Sequence, residues 1–190
     1  MSVSRFIKLS IALVFVTAVA GCTVVEQVKG DYLLMNAQTA YDAENFAVAA
    51  DYFRKAADAG SGEGAYRLSS LYLDGKGVQK DIPTGVKWMQ EASDRQYLPA
   101  DISIGLWTIK GSHGIRKDRA KGVQIILKAA QAGEPVAMFL MGGFYRNGTG
   151  VKRNSAQALE WFQKAQAAGL PVRPELLTLR GVERRTGRNG

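Results

Sequence analysis

The chain is poor in the residues that do chemistry. Its 190 residues include one cysteine, Cys22, and one histidine, His113. No disulfide can form within such a chain, and one imidazole without clustered carboxylates or thiols is not a metal site. His113 lies among Gly111, Ser112 and Gly114 in a turn, with no partner in sequence to make it a base, and reads as a solvated loop residue. A phosphate-binding loop is missing as well. The segments Gly75-Lys76-Gly77-Val78 and Gly148-Thr149-Gly150-Val151 lack the four-residue spacing, the Lys-Ser/Thr pair and the preceding strand of a Walker loop. Asn147-Gly148-Thr149 matches a glycosylation sequon but belongs to the same turn chemistry. No catalysis, cofactor or metal is therefore expected. Long apolar runs are also lacking: Ile11 to Ala20, ten residues interrupted only by Thr17, falls well short of the roughly twenty a spanning helix needs.

What the N-terminus does contain is Arg5 and Lys8 without an acid, then that short apolar core, then small residues. This is the pattern of a cleaved export signal. Val19-Ala20-Gly21-Cys22 resembles the lipobox of bacterial lipoproteins. The resemblance implies a diacylglyceryl group on the Cys22 thiol, cleavage before Cys22 and acylation of the new amine. Residues 1–21 would then be a lipoprotein signal peptide and 22–30 a lipidated tether. Several acyl chains, at about 0.8 kcal/mol per buried methylene, would anchor the chain to membrane lipid permanently. Thr23 in place of Asp after the cysteine implies, in a Gram-negative source, the outer membrane and a domain facing the periplasm. Thr23 to Gly30 reaches at most about 28 Å, so the folded part would stay close to its membrane.

The body repeats. Gly77, Gly114 and Gly150 recur 37 and 36 residues apart, within Ser69–Asp81, Gly105–Asp118 and Gly142–Asn154. The middle copy carries one extra residue in its turn. Gly75 and Gly77, Gly111 and Gly114, and Gly148 and Gly150 are the structural turn residues, at positions that favour positive φ. After each turn Asp81, Asp118 or Asn154 stands where a helix N-cap is wanted. Trp88, Ile125 and Trp161 then align, as do Ala92, Ala129 and Ala165. Gly60, Gly133 and Gly169 stand at C-cap positions, with Gln96 in their place once. Leu68-Ser69, Ile104-Gly105 and Met141-Gly142 precede the turns, with small residues that let two helices approach closely. Each unit is helix, glycine-rich turn, helix.

This pattern resembles the Sel1-like repeat family, a relative of tetratricopeptide (TPR) repeats. The third copy carries it best, through Gly148-Thr149-Gly150-Val151, Ala158, Trp161, Ala165 and Gly169; the second, with Gly111-Ser112-His113-Gly114-Ile115 and Ile125, carries it least. Tyr41 to Phe46, followed by Ala49, Tyr52, Phe53 and Ala56, resembles a true TPR unit with a short turn. The resemblance implies an all-α, right-handed α-solenoid of stacked helix pairs. It is divided as a TPR-like pair over 31–60, Sel1-like repeats over 61–96, 97–133 and 134–169, and a capping segment with a basic flexible tail over 170–190. A short helix is expected to start at Pro174, and disorder from Arg180.

In TPR folds the first helix of each pair lines a binding face. Carried onto this chain, the lining positions are Leu34, Gln38 and Tyr41, then Tyr66, Ser70 and Leu73, then Ile102, Leu106 and Ile109, then Phe139, Gly143 and Arg146. Exposed apolar surface of this kind marks partner sites. The partner-binding set is therefore Leu34, Tyr41, Tyr66, Ile102, Leu106, Ile109 and Phe139, unless the chain's own end closes over it. Twenty-five cations against 17 acids give a formal net charge of +8, concentrated partly in Arg173, Arg180, Arg184, Arg185 and Arg188. The bland reading of that tail is a solvated run of charge; a partner for it on an exported protein would be anionic polymer or lipid rather than nucleic acid. The function expected is a non-enzymatic, lipid-anchored envelope module that binds another envelope protein. Alternatives are an accessory scaffold of a secretion or polysaccharide-export machine or, in another class, a cell-wall-directed enzyme or inhibitor.

Overall fold

The computed structural model describes residues 30–183. The lipobox, the tether up to residue 29 and the arginines at 184, 185 and 188 lie outside the described residues. Helices run over residues 30–42 (α1), Phe46–Asp58 (α2), Gly62–Asp74 (α3), Ile82–Asp94 (α4), Leu98–Lys110 (α5), Arg119–Gln131 (α6), Pro135–Asn147 (α7) and Ser155–Ala167 (α8). A 3₁₀ turn, Pro174–Leu177, and a short helix, Leu179–Glu183 (α9), complete the order. No strand occurs among the described residues. Consecutive helices pack pairwise, α1 with α2 through α7 with α8, and successive pairs stack into an α-solenoid.

Local chemistry sets these boundaries. Asp81 Oδ1 accepts the Thr84 amide at 3.1 Å, Asp118 Oδ1 the Lys121 amide at 2.9 Å and Asn154 Oδ1 the Gln157 amide at 3.1 Å. Each satisfies one otherwise orphaned donor of a helix start. Gly75, Gly111 and Gly148 end α3, α5 and α7 in the left-handed region, at φ 73°, 74° and 71°. The second helices end on Gly60, Gly133 and Gly169, again at positive φ, and in the expected place Gln96 adopts φ 61°.

Small residues decide how closely a pair approaches. A Cβ on Gly122 of α6 would lie 2.5 Å from the Gly105 carbonyl oxygen and 2.6 Å from Ile109 Cγ1 of α5. In the preceding pair Ser69 replaces the α5 glycine, and its buried hydroxyl donates to the Gly85 carbonyl at 2.6 Å. Between pairs Val123, Ile126 and Met141 are fully buried around the α6–α7 boundary, with Phe144 and Trp161 in the same cluster. At the C-terminal end Val172, Leu176 and Val182 pack with Phe162 and Ala165 of α8. Burial of Val182 carries helical order through Glu183. This corrects the expectation that placed disorder from Arg180: the apolar side chain two residues on pins that stretch.

The turn glycines also lock one pair onto the previous one. A Cβ on Gly77 would fall 2.2 Å from the carbonyl carbon of Phe46, at the start of α2, and one on Gly150 would fall 2.5 Å from the Arg119 oxygen, at the start of α6. The middle turn, with its extra residue, breaks the rule, and Gly114 has open space around it. There the chain bends back so that the His113 ring stacks on Trp107, centroids 4.3 Å apart. Ile82, at the start of α4, is exposed.

Candidate interaction surface

The first helices of the pairs bring part of the sequence-derived set together. Gln38 and Tyr41 of α1, Phe53 of α2, and Tyr66, Arg67, Ser70, Leu71 and Asp74 of α3 line one cleft of about 190 Å³. Tyr41 and Tyr66 supply half-buried aromatic walls. Tyr41 is held edge-on to Phe46, centroids 5.2 Å apart. The polar groups at the rim are engaged locally: Gln38 Nε2 donates to Asp42 Oδ1 at 2.7 Å, Arg67 pairs with Glu63 at 3.2 Å and Ser70 Oγ donates to the Tyr66 carbonyl at 3.2 Å. Such a cleft can hold an apolar side chain against two phenol rings while the rim stays wet. It offers no nucleophile–base pair. Among the described residues no three His, Cys, Asp or Glu side chains gather as a metal site would require.

The other members of the set sit differently. Leu34 is half-buried against the cluster of Ala37, Phe53 and Leu68. Ile102 is 8% exposed and belongs to the core with Val123 and Ile126, while Leu106 and Ile109 are half-buried against that core. Leu73 and Ile109 lie over Gly85 and Gly122, turned toward the second helix of their own pair. Phe139 packs on Phe162, centroids 5.3 Å apart, within the cluster that Val172, Leu176 and Val182 complete. Arg146, in the equivalent α7 position, is buried with its guanidinium over the same Phe162 ring. The open aromatic cleft thus lies at the α1–α3 end, and the α7 end is packed by the chain's own terminal segment.

Sequence reasoning missed Tyr97. It precedes α5 in the N-cap position, which Ser61 and Glu134 fill ahead of α3 and α7, and its ring lies 5.3 Å from that of Tyr66. An aromatic in a capping slot was the available signal. Burial first, and the Glu63 carboxylate next, raise the Tyr97 phenol above its ordinary value. Asp81 shifts the other way, its carboxylate stabilised by the Thr84 hydroxyl and then the Thr84 amide.

The model of the Sel1 repeat family matches residues 32–61, 62–97, 102–134 and 135–170. The chain belongs to the Sel1 repeat family. The match takes in the α1–α2 pair as a Sel1 repeat, although its turn has no glycine pair and instead places Glu44 at φ 58°. Among curated proteins the chain is similar to a chitin synthase regulator of Saccharomyces cerevisiae, 31% identical over 119 residues, a match covering 62% of this chain and 17% of that protein. Among solved structures it resembles a Sel1 repeat protein from Oxalobacter formigenes, with a TM-score of 0.60, 31% identity, and 65% of this chain and 50% of that one covered. It also resembles a protective antigen present in uropathogenic Escherichia coli strains that displays an SLR fold, with a TM-score of 0.65, 28% identity, and 74% and 31% coverage. The chain spans half or less of the length of each of these three Sel1-related proteins.

Proposed function

We propose that this Sel1 repeat chain is a non-enzymatic interaction module, held at an envelope membrane through acylated Cys22, that binds an apolar segment of another envelope protein. The single observation that carries the binding part is the α1–α3 cleft, where Tyr41 and Tyr66 present aromatic walls backed by Phe53. Large aromatic side chains beside a small pocket give much contact area at low entropic cost, which is how interface anchors work. The name of a curated relative as a regulator of a synthase supports action through a partner. Anchoring rests on the Val19-Ala20-Gly21-Cys22 motif after its short apolar core.

Two experiments test the two parts separately. A photo-crosslinking residue at Tyr66 should capture one partner protein that the same residue at Lys87, on α4, does not; purified partner should then bind the folded Tyr66→Glu variant about tenfold or more weakly, in keeping with the loss of a central anchor. Equal capture from both positions, or unchanged affinity, defeats the cleft. For the anchor, Cys22→Ser should shift the protein out of the membrane fraction or leave its signal uncleaved. Normal processing with continued membrane attachment defeats that part and leaves the cleft untouched.

A further inference from the structure

The edge of the solenoid where first helices end and second helices begin is strongly basic in its second half. Arg116, Lys117, Arg119 and Lys121 come from the second turn and the start of α6, and Lys152 and Arg153 from the third turn. All six are exposed, and none takes part in an ion pair among the described residues. Asp118 is the only acid in these two stretches, and its carboxylate is occupied by the α6 amide it caps. The ion pairs of the fold run instead along helix surfaces, as i,i+4 contacts such as Lys55–Asp51 and Lys164–Glu160.

Two features turn these charges into one surface. The third turn sits directly on the start of α6, since Gly150 approaches the Arg119 oxygen so closely that a Cβ there would be 2.5 Å from it. Lys152 and Arg153 are thereby seated beside Arg119. In the three glycine turns the residue before the N-cap is also cationic, as Lys80, Lys117 and Arg153, and each turn's first glycine is the one that lies against it: added Cβ atoms would be 3.0, 2.7 and 3.6 Å from their Cβ atoms. The cations therefore form a row along the stack, one step per repeat, which suits an extended ligand.

Branched apolar side chains lie among the charges: the half-buried Val78 and Val151 pack inward on the core, while Ile115 is half-buried and Ile82 is exposed. A polyphosphate or sulfated polymer would leave these unused. A single exposed isoleucine is too little apolar area for lipid insertion, and the Trp107 ring beside the second turn is covered by His113 rather than open to a stacked base. We infer that this basic edge, from Arg116 to Arg153, docks an extended acidic polypeptide segment whose carboxylates meet the cation row while its apolar side chains meet Ile82 and Ile115. The surface is distinct from the α1–α3 cleft and stands or falls without it.

The test uses a fluorescein-labelled oligomer of about twenty residues alternating two glutamates with one valine, titrated with the purified full chain at 50 and 150 mM salt. Four exposed ion pairs, each worth a factor of roughly 1.4 to 5, should make the variant with Lys117, Arg119, Lys152 and Arg153 changed to Gln bind about fourfold to several-hundredfold more weakly. A charge-matched variant with Lys55, Lys87, Lys128 and Lys164 changed to Gln should bind like the parent. Both variants alter only exposed side chains, and circular dichroism confirms that each is folded. Equal weakening in the two variants would mean that net charge alone attracts the peptide, and overturns the inference. So would tighter binding to phosphatidylglycerol vesicles or to dextran sulfate than to the acidic oligomer.

Discussion

Replacing Gly122 by alanine should destabilise the fold, and replacing Gly143 by alanine should stabilise it, although both lie inside helices. In a helix interior the change from glycine to alanine is worth about 0.8–1.0 kcal/mol in backbone entropy. Gly143 of α7 has nothing within 4 Å of an added Cβ, so the entropic gain should appear almost whole. At Gly122 the added methyl meets the Gly105 carbonyl oxygen at 2.5 Å and the Ile109 amide nitrogen at 2.9 Å. Those atoms belong to the α5 backbone and cannot rotate away, so the two helices must separate. Overpacking of that kind costs about 1–3 kcal/mol, which matches or exceeds the gain and leaves a net loss of up to about 2 kcal/mol. For a domain of this size 1 kcal/mol moves Tm by about 2–4 °C. The assay is thermal and urea unfolding of both single variants beside the parent, followed by circular dichroism. Shifts of the same sign and size would refute the reasoning, because they would mean that helix propensity, and not the α5–α6 approach, governs both positions.

The turn glycines provide a second comparison. Gly77→Ala should be far more damaging than Gly114→Ala, since both positions have positive φ but only Gly77 is pressed against the α2 start; strain alone costs about 1–2 kcal/mol, and urea midpoints would separate the two. A pH series on Asp81→Ala tests the cap. Because the folded carboxylate lies below its ordinary value, its stabilising effect is present above the unfolded value near 3.9 and is lost as pH falls through the folded one. Parent and variant should therefore differ at neutral pH and converge in acid. Tyr97 should ionise above the ordinary tyrosine value in an alkaline titration followed at 295 nm, read as the difference between the parent and Tyr97→Phe, with stability lost as pH rises through its raised value; a difference curve centred on the ordinary value would contradict the burial argument.

The glycine spacing made the fold legible in the sequence, because a positive-φ residue leaves a mark that no tertiary contact can overrule. Asp81, Asp118 and Asn154 were legible as caps for a similar reason: the bond each makes lies within three residues of itself. The interaction surface was less so. Tyr41 and Tyr66 share a cleft, as a first-helix register implies. Leu73 and Ile109, seven residues after Tyr66 and Ile102, lie instead over the glycines of α4 and α6. Register indicates which face a residue starts from, but the width of the buried stripe depends on how near the neighbouring helix comes, and that depends on a glycine in a different helix. Phe139 was legible as apolar but not as a neighbour of the terminal segment, since its company with Val172 and Leu176 arises from chain that returns after α8.

The extra residue in the middle turn has a mechanical consequence. In a linear array each unit is held only by its neighbours, so cooperativity is as strong as the weakest junction. The first and third turns reach back and clamp the start of the preceding second helix, whereas a Cβ added to Gly114 would find open space, so the middle turn makes no such clamp through its second glycine. Under load or in denaturant the stack should part there first, into an N-terminal block holding the tyrosine cleft and a C-terminal block holding most of the basic edge. Two recognition surfaces on opposite sides of a soft joint can adjust to each other's ligands without either one unfolding.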